Sequence, residues 1–176
     1  MKFRLSAFLV FFPLLMSQAM SSMAGSDDLF LAARDAARAG DRNKLERASS
    51  QIGNHELAVY AENYRLRMNF DQGDSAAIRS FLERNERSYV AEKLRADWIR
   101  WLGKRAAWSE IDSEYPALIA PEPDVTCWQQ QGRLARGDRS VLDEAEKLWL
   151  TMLEPPEPCR AVFDAVVAGQ RVDAEA

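Results

Sequence analysis

The sequence predicts an all-α protein, a superhelical array of antiparallel helix hairpins of the α-solenoid, TPR-like kind. Three observations predict it. No stretch alternates apolar and polar residues between turn residues for long enough to make a strand. Apolar residues recur instead at helical spacing along nearly the whole chain. The breaks are also spaced with some regularity: Gly40-Asp41, Gly73-Asp74, Gly103-Lys104 and Gly137-Asp138 stand 33, 30 and 34 residues apart. A unit of about 30–34 residues with one break per helix pair is the mark of stacked helical hairpins. An irregular helical bundle is the rival reading.

Residues 1–24 read as a secretory signal peptide. Lys2 and Arg4 form a positive start, and Leu5 to Met16 is apolar except for Ser6 and Pro13. Small residues at Ser17-Gln18-Ala19 or Ser22-Met23-Ala24 suit a signal peptidase. The apolar run is short of the ~20 residues that a spanning helix needs, and no later stretch is expected to cross a membrane. No cysteine follows the run, so a lipid anchor is not expected.

The helices follow in order, near 27–39, 42–51, 55–70, 74–84, 88–102, 104–114, 125–136, 140–153 and 159–168. The first carries Leu29, Ala32, Ala33, Ala36 and Ala37 on one face, and the third Leu57, Tyr60, Ala61, Tyr64 and Met68. Leu94, Trp98, Ile99, Trp101 and Leu102 make a third stripe, and Leu142, Ala145, Leu148, Trp149 and Met152 a fourth. Glycine suits the left-handed residue that ends a helix, and an aspartate just after it can cap the next. Ala120-Pro121-Glu122-Pro123 and Glu154-Pro155-Pro156-Glu157-Pro158 read as loops, because proline cannot continue a helix. Residues 25–171 therefore form one helical-repeat domain, and 172–176 is expected to be a frayed tail.

Charge narrows the partners. The leader holds two basic residues and no acidic one, so its removal leaves 21 Lys and Arg against 27 Asp and Glu, a net charge of −6. A mildly acidic chain with interspersed signs is not expected to bind nucleic acid. Both cysteines, Cys127 and Cys159, lie after the leader. Two cysteines in an exported chain suggest one disulfide. Closing that loop would stabilise the fold by about 3–4 kcal/mol in the chain-entropy model. Two buried thiols, or a cysteine nucleophile, are the alternatives; the single histidine, His55, is far away in sequence and no Cys-x-x-Cys occurs.

A search for chemistry finds no Gly-rich phosphate loop, zinc-type Cys/His spacing or Gly-x-Ser-x-Gly turn. No catalytic residue, cofactor or metal is expected. Glu62, Glu83, Glu86, Asp97, Glu110 and Glu114 fall where solvated helix faces are expected, as do Arg34, Arg38, Arg95, Arg100 and Arg105. His55 begins a helix and reads as a capping or surface residue. Of the five tryptophans, Trp98, Trp101 and Trp149 share faces with leucines and are expected to pack. Trp108 and Trp128 lie near helix starts and are the expected exposed pair, the candidates for contact with a glycan or a partner.

Three blocks then bring a family into view. His55-Glu56-Leu57-Ala58-Val59-Tyr60-Ala61-Glu62-Asn63-Tyr64-Arg65-Leu66 resembles a segment of the soluble lytic murein transglycosylases. Phe81-Leu82-Glu83-Arg84, Ala91-Glu92-Lys93-Leu94-Arg95-Ala96-Asp97-Trp98, Leu102-Gly103-Lys104-Arg105 and Trp108 look like the adjoining helix pairs. Cys127, Leu148-Trp149-Leu150-Thr151, Pro158-Cys159 and Phe163 look like the paired-cysteine segment. The resemblance covers residues 27–171 in family order. It implies an early part of a superhelical, U-shaped, periplasmic domain and supports the disulfide.

Two departures qualify what carries over. Glu56 and Val59 stand where prolines are common in the family, so that helix can begin differently here. The family's catalytic domain, with its Glu-Ser, Gly-Leu-Met-Gln and Ala-Tyr-Asn-Ala-Gly motifs, has no counterpart in this sequence. The chain is thus expected to be a periplasmic module of peptidoglycan turnover, a truncated or shortened form without activity of its own. Its expected partners are peptidoglycan or a cell-wall enzyme. The alternative is a TPR-like adaptor for protein–protein contacts.

Overall fold

In the computed structural model, residues 16–169 are described, with side chains from Gly25 onward. The expected leader up to residue 15 and the expected tail 172–176 lie outside them. Among the described residues the fold is all-helical, with no strand. Nine α-helices follow in order: α1 (Met16–Ala39), α2 (Arg42–Gln51), α3 (Ala58–Met68), α4 (Ser75–Arg84), α5 (Tyr89–Gly103), α6 (Trp108–Glu114), α7 (Pro123–Ala135), α8 (Val141–Trp149) and α9 (Arg160–Ala168). Short 3-10 turns occupy Phe70–Gln72, Tyr115–Ala117 and Glu157–Cys159. The chain divides into two compact units, Met1–Met68 and Asn69–Ala176.

In the first unit α1, α2 and α3 pack on one another. The apolar stripe read from the sequence becomes the core: Ala33, Ala36, Leu45, Ala48, Ile52 and Ala61 are buried, with Leu29, Tyr64 and Met68 packed around them. Gly40 takes φ +71 and ends α1, and the Asp41 carboxylate accepts the Lys44 N–H to start α2. The reversal before α3 passes through Gly53 at φ +59. There α3 begins at Ala58 rather than near 55, because residues 55–57 are used in a turn in which the Ala58 N–H donates to the His55 carbonyl.

The second unit holds α4 to α9. Gly73 and Asp74 repeat the glycine–aspartate device, with φ +73 and a carboxylate that accepts the Ala77 N–H. Ser88 caps α5 through the Ala91 N–H. Along α5 Val90, Ala91, Leu94, Trp98, Ile99 and Leu102 are buried, as are Ile78, Phe81 and Leu82 of α4. α7 is the hub: it packs on α5 and α6, and also on α8, α9 and the turn ahead of α9.

Other boundaries differ from expectation as well: α1 begins at Met16 rather than 27, α3 ends at Met68 rather than 70, and α7 begins at Pro123 rather than 125. The third glycine break does end a helix, since Gly103 is the last residue of α5, but the left-handed residue there is Ala106, at φ +53, and not the glycine. That turn consumes residues 104–107, so α6 starts at Trp108 instead of 104. At the fourth break Gly137 does take φ +86, but Asp138 holds the Ser140 N–H and the Arg133 guanidinium ahead of α8 rather than capping it. α8 then ends at Trp149, not 153.

Candidate functional site

The cysteines meet as the sequence suggests. Cys127 sits in the first half of α7 and Cys159 in the turn before α9, with Sγ atoms 2.00 Å and Cα atoms 4.9 Å apart. Both are fully buried, in a cluster with Val141, Leu142, Ala145, Val162, Phe163 and Val166. The Gln131 side-chain amide donates to the Pro158 carbonyl beside the bridge. The disulfide therefore ties the hub helix to the last helix across α8.

Trp108 and Trp128 face each other's neighbourhoods on α6 and α7, and neither stands open. Each is half-buried. A Cβ built on Gly103 would lie 2.3 Å from the Trp128 ring, so that ring covers the backbone of α5 directly. The Trp108 ring lies similarly over Gly132 of α7, 3.2 Å from a Cβ placed there. Two glycines thus serve as seats for two indoles, which lets α5, α6 and α7 approach closely. Trp98 is 2% exposed, and Trp149 stacks on Phe163 with ring centroids 5.0 Å apart. Trp101 is half-buried between Phe70 and the Arg105 guanidinium, which lies 3.8 Å over its ring.

Charged groups expected on solvated faces prove to be partly interior. Glu114, at the end of α6, is only 7% exposed. Its carboxylate accepts from Arg79 Nε of α4 at 3.1 Å and from Arg95 Nε of α5 at 3.4 Å. Arg79 also lies over the Trp98 ring, so the ion pair forms a lid on the largest buried side chain. A buried carboxylate needs such partners because desolvation of an unpaired charge is costly.

A second cluster straps the segment before α7 onto α5. Glu92 Oε1 accepts the backbone N–H groups of Ile119 and Ala120 at 3.0 and 3.1 Å. Lys93 pairs with Glu122. Arg100 donates to Asp97 at 2.9 Å, to Asp124 at 2.6 and 3.0 Å, and to Glu122. Hydrogen bonds from Lys93 and then Arg100 hold the Glu122 carboxyl below its ordinary range. For Asp124, burial works upward, but the Arg100 hydrogen bond and charge outweigh it and the net shift is downward. Arg100 is correspondingly held protonated, chiefly by its bond to Asp124.

His55 lies in the first unit, where an open cleft of about 900 Å³ runs between Gly25, Asp27 and Leu29 of α1 and the turn before α3. Its Nε2 is 2.7 Å from Asp27 Oδ1, and its Nδ1 accepts the Leu57 N–H at 3.0 Å. The ring stacks near Phe30. With Nδ1 accepting, Nε2 carries the proton and donates to Asp27. His55 therefore does not begin α3, as the sequence reading has it, but holds the turn ahead of that helix.

These groups define stabilising latches, and in the second of them guanidinium and ammonium partners hold Glu122 and Asp124 below their ordinary range. A general acid needs the reverse, a desolvating site that raises its pKa. Among the described residues no group of three or more His, Cys, Asp or Glu is placed to hold a metal ion, and no helix is long and apolar enough to cross a membrane. Comparison of this chain with protein families, curated proteins and solved structures found no match.

Proposed function

We propose that the chain is an exported helical module of peptidoglycan turnover, akin to the opening part of the superhelical domain of soluble lytic murein transglycosylases. It works in the periplasm by holding or positioning cell-wall material or a cell-wall enzyme, and it breaks no glycosidic bond itself. The observation that carries the reading is a disulfide-closed helical unit whose interior carboxylates are engaged by Arg79, Arg95 and Arg100. Such groups serve packing, not proton transfer. Helices that touch their sequence neighbours and the next helix but one, as α5, α6 and α7 do, support stacked hairpins.

The adaptor reading has its own support. Leu150 and Leu153, in the same turn after α8, are 71% and 103% exposed, and apolar side chains that stand together on a surface favour a protein as partner. One experiment separates the two. The purified exported chain is incubated with cell-wall sacculi, and both retention and soluble products are measured. Retention without release of anhydro-muropeptides is expected. No retention, with capture of one defined periplasmic protein, would favour the adaptor. Sustained product release that one carboxylate substitution abolishes would overturn the non-enzymatic reading.

A further inference from the structure

The segment Ser26-Asp27-Asp28 is a helix-start signal in the wrong place. Serine is favoured at the position before a helix, and acidic residues in its first turn complement the positive end of the helix dipole. Inside a helix both compete with the backbone and are weak formers. Yet α1 begins at Met16, so this signal lies well within it. A start signal is useful there only once the residues ahead of it are gone.

The cleft beside it supplies the second observation. Among the described residues its lining includes Gly25, Asp27, Gln51, Asn54, His55 and Glu56, with two carboxylates and no lysine or arginine. Gly25 is exposed and faces open space, with nothing within 4 Å of where a Cβ would be. Asp27 Oδ1 is engaged by His55, whose side chain is 13% exposed, so the carboxylate is oriented from inside the unit. An amino group on Gly25 would stand in this lining as a cation beside the two carboxylates.

We propose that the leader is cut between Ala24 and Gly25, and that the new amino terminus sits in this cleft as its cation, neutralised by Asp27 and Glu56. The proposal rests on the exported reading given above. It chooses between the two small-residue sites, since cutting after Ala19 would leave five residues ahead of Gly25 and carry the ammonium out of the cleft. A bare ammonium at a helix start opposes the helix dipole. The flanking carboxylates reverse that sign.

Two measurements test it. Amino-terminal sequencing of the exported protein should read Gly25-Ser26-Asp27. A start at Met20 would overturn the proposal while leaving export intact, and an uncut chain found only inside the cell would overturn the exported reading as well. Next, the chain starting at Gly25 is melted at low salt with its amine free and with it acetylated. Acetylation should lower the midpoint by roughly 2–4 °C, and Glu56→Gln, which leaves the Asp27–His55 pair intact, should shrink that difference. If the terminus only abuts the dipole, acetylation raises the midpoint instead. That result, or equal midpoints, would sink the placement.

Discussion

The two compact units use the same helical period and fill it with different volumes. In the first, four of the six residues of the buried cluster are alanines, Ala33, Ala36, Ala48 and Ala61. Alanines let helix backbones approach closely, so stability comes from short contacts between chains of atoms rather than from large buried side chains. In the second, Trp98, Phe81, Leu82, Leu94 and Ile99 are almost fully buried, and a disulfide closes the far side. Each large side chain there removes far more apolar area from water. The lesson is that helical periodicity locates a core without saying whether bulk or closeness holds it. The first unit should be intolerant of added atoms, the second of lost ones.

The largest effect should come from emptying the second core. Trp98→Ala should destabilise by ~3–5 kcal/mol, read from chemical denaturation. A loss near zero would break the contrast. Next, replacing both Cys127 and Cys159 by alanine should cost about 3–4 kcal/mol through the loop they close; an unchanged midpoint would mean that α9 is held by packing alone.

Overfilling should be the sensitive test of close approach. Ala33→Leu, at a position 0% exposed, should cost ~1–3 kcal/mol in the first unit. Gly103→Ala should cost a similar ~1–3 kcal/mol although it lies in the second, because the Trp128 ring occupies the space. Trp128→Leu in the same chain should recover part of that loss, which would show the glycine to be a seat and not a hinge.

The smallest effect concerns acid. Glu122 and Asp124 have folded pKa values below their ordinary ones, so the strap they form contributes its full stability above the ordinary carboxylate range. That contribution is lost as pH falls through the depressed folded values. Once the slower intrinsic exchange at low pH is divided out, the protection of the Ile119 and Ala120 amides should therefore fall on acidification more steeply than that of Ala77, which lies outside the strap. Equal acid sensitivity at both places would show that the Arg100 cluster does not hold the loop.

Much of the fold is legible in the residues. The stripes Leu29 to Ala37 and Leu94 to Leu102 mark the packed faces, and the pairing of Cys127 with Cys159 is the one expected of two cysteines in a chain read as exported. Gly40, Gly73 and Gly137 take the left-handed conformation that the breaks suggest. Gly103 carries the same local signal and does something else, because its missing side chain is used by a ring 25 residues later in the chain. The ion pairs of Glu114 and Arg100 were hidden for a similar reason. A glutamate at the end of a short helix reads as solvated until two arginines from two other helices converge on it.

Helix periods, caps, proline loops and the apolar face of each helix are therefore local properties, legible in the residues alone. These depend on residues three or four positions apart, which are neighbours in any helix. Packing between distant segments sets which glycine seats a ring, which tryptophans are covered, and which charges are interior. Those outcomes depend on atoms brought together from distant positions. Burial and pairing are properties of that meeting, and no single segment contains them.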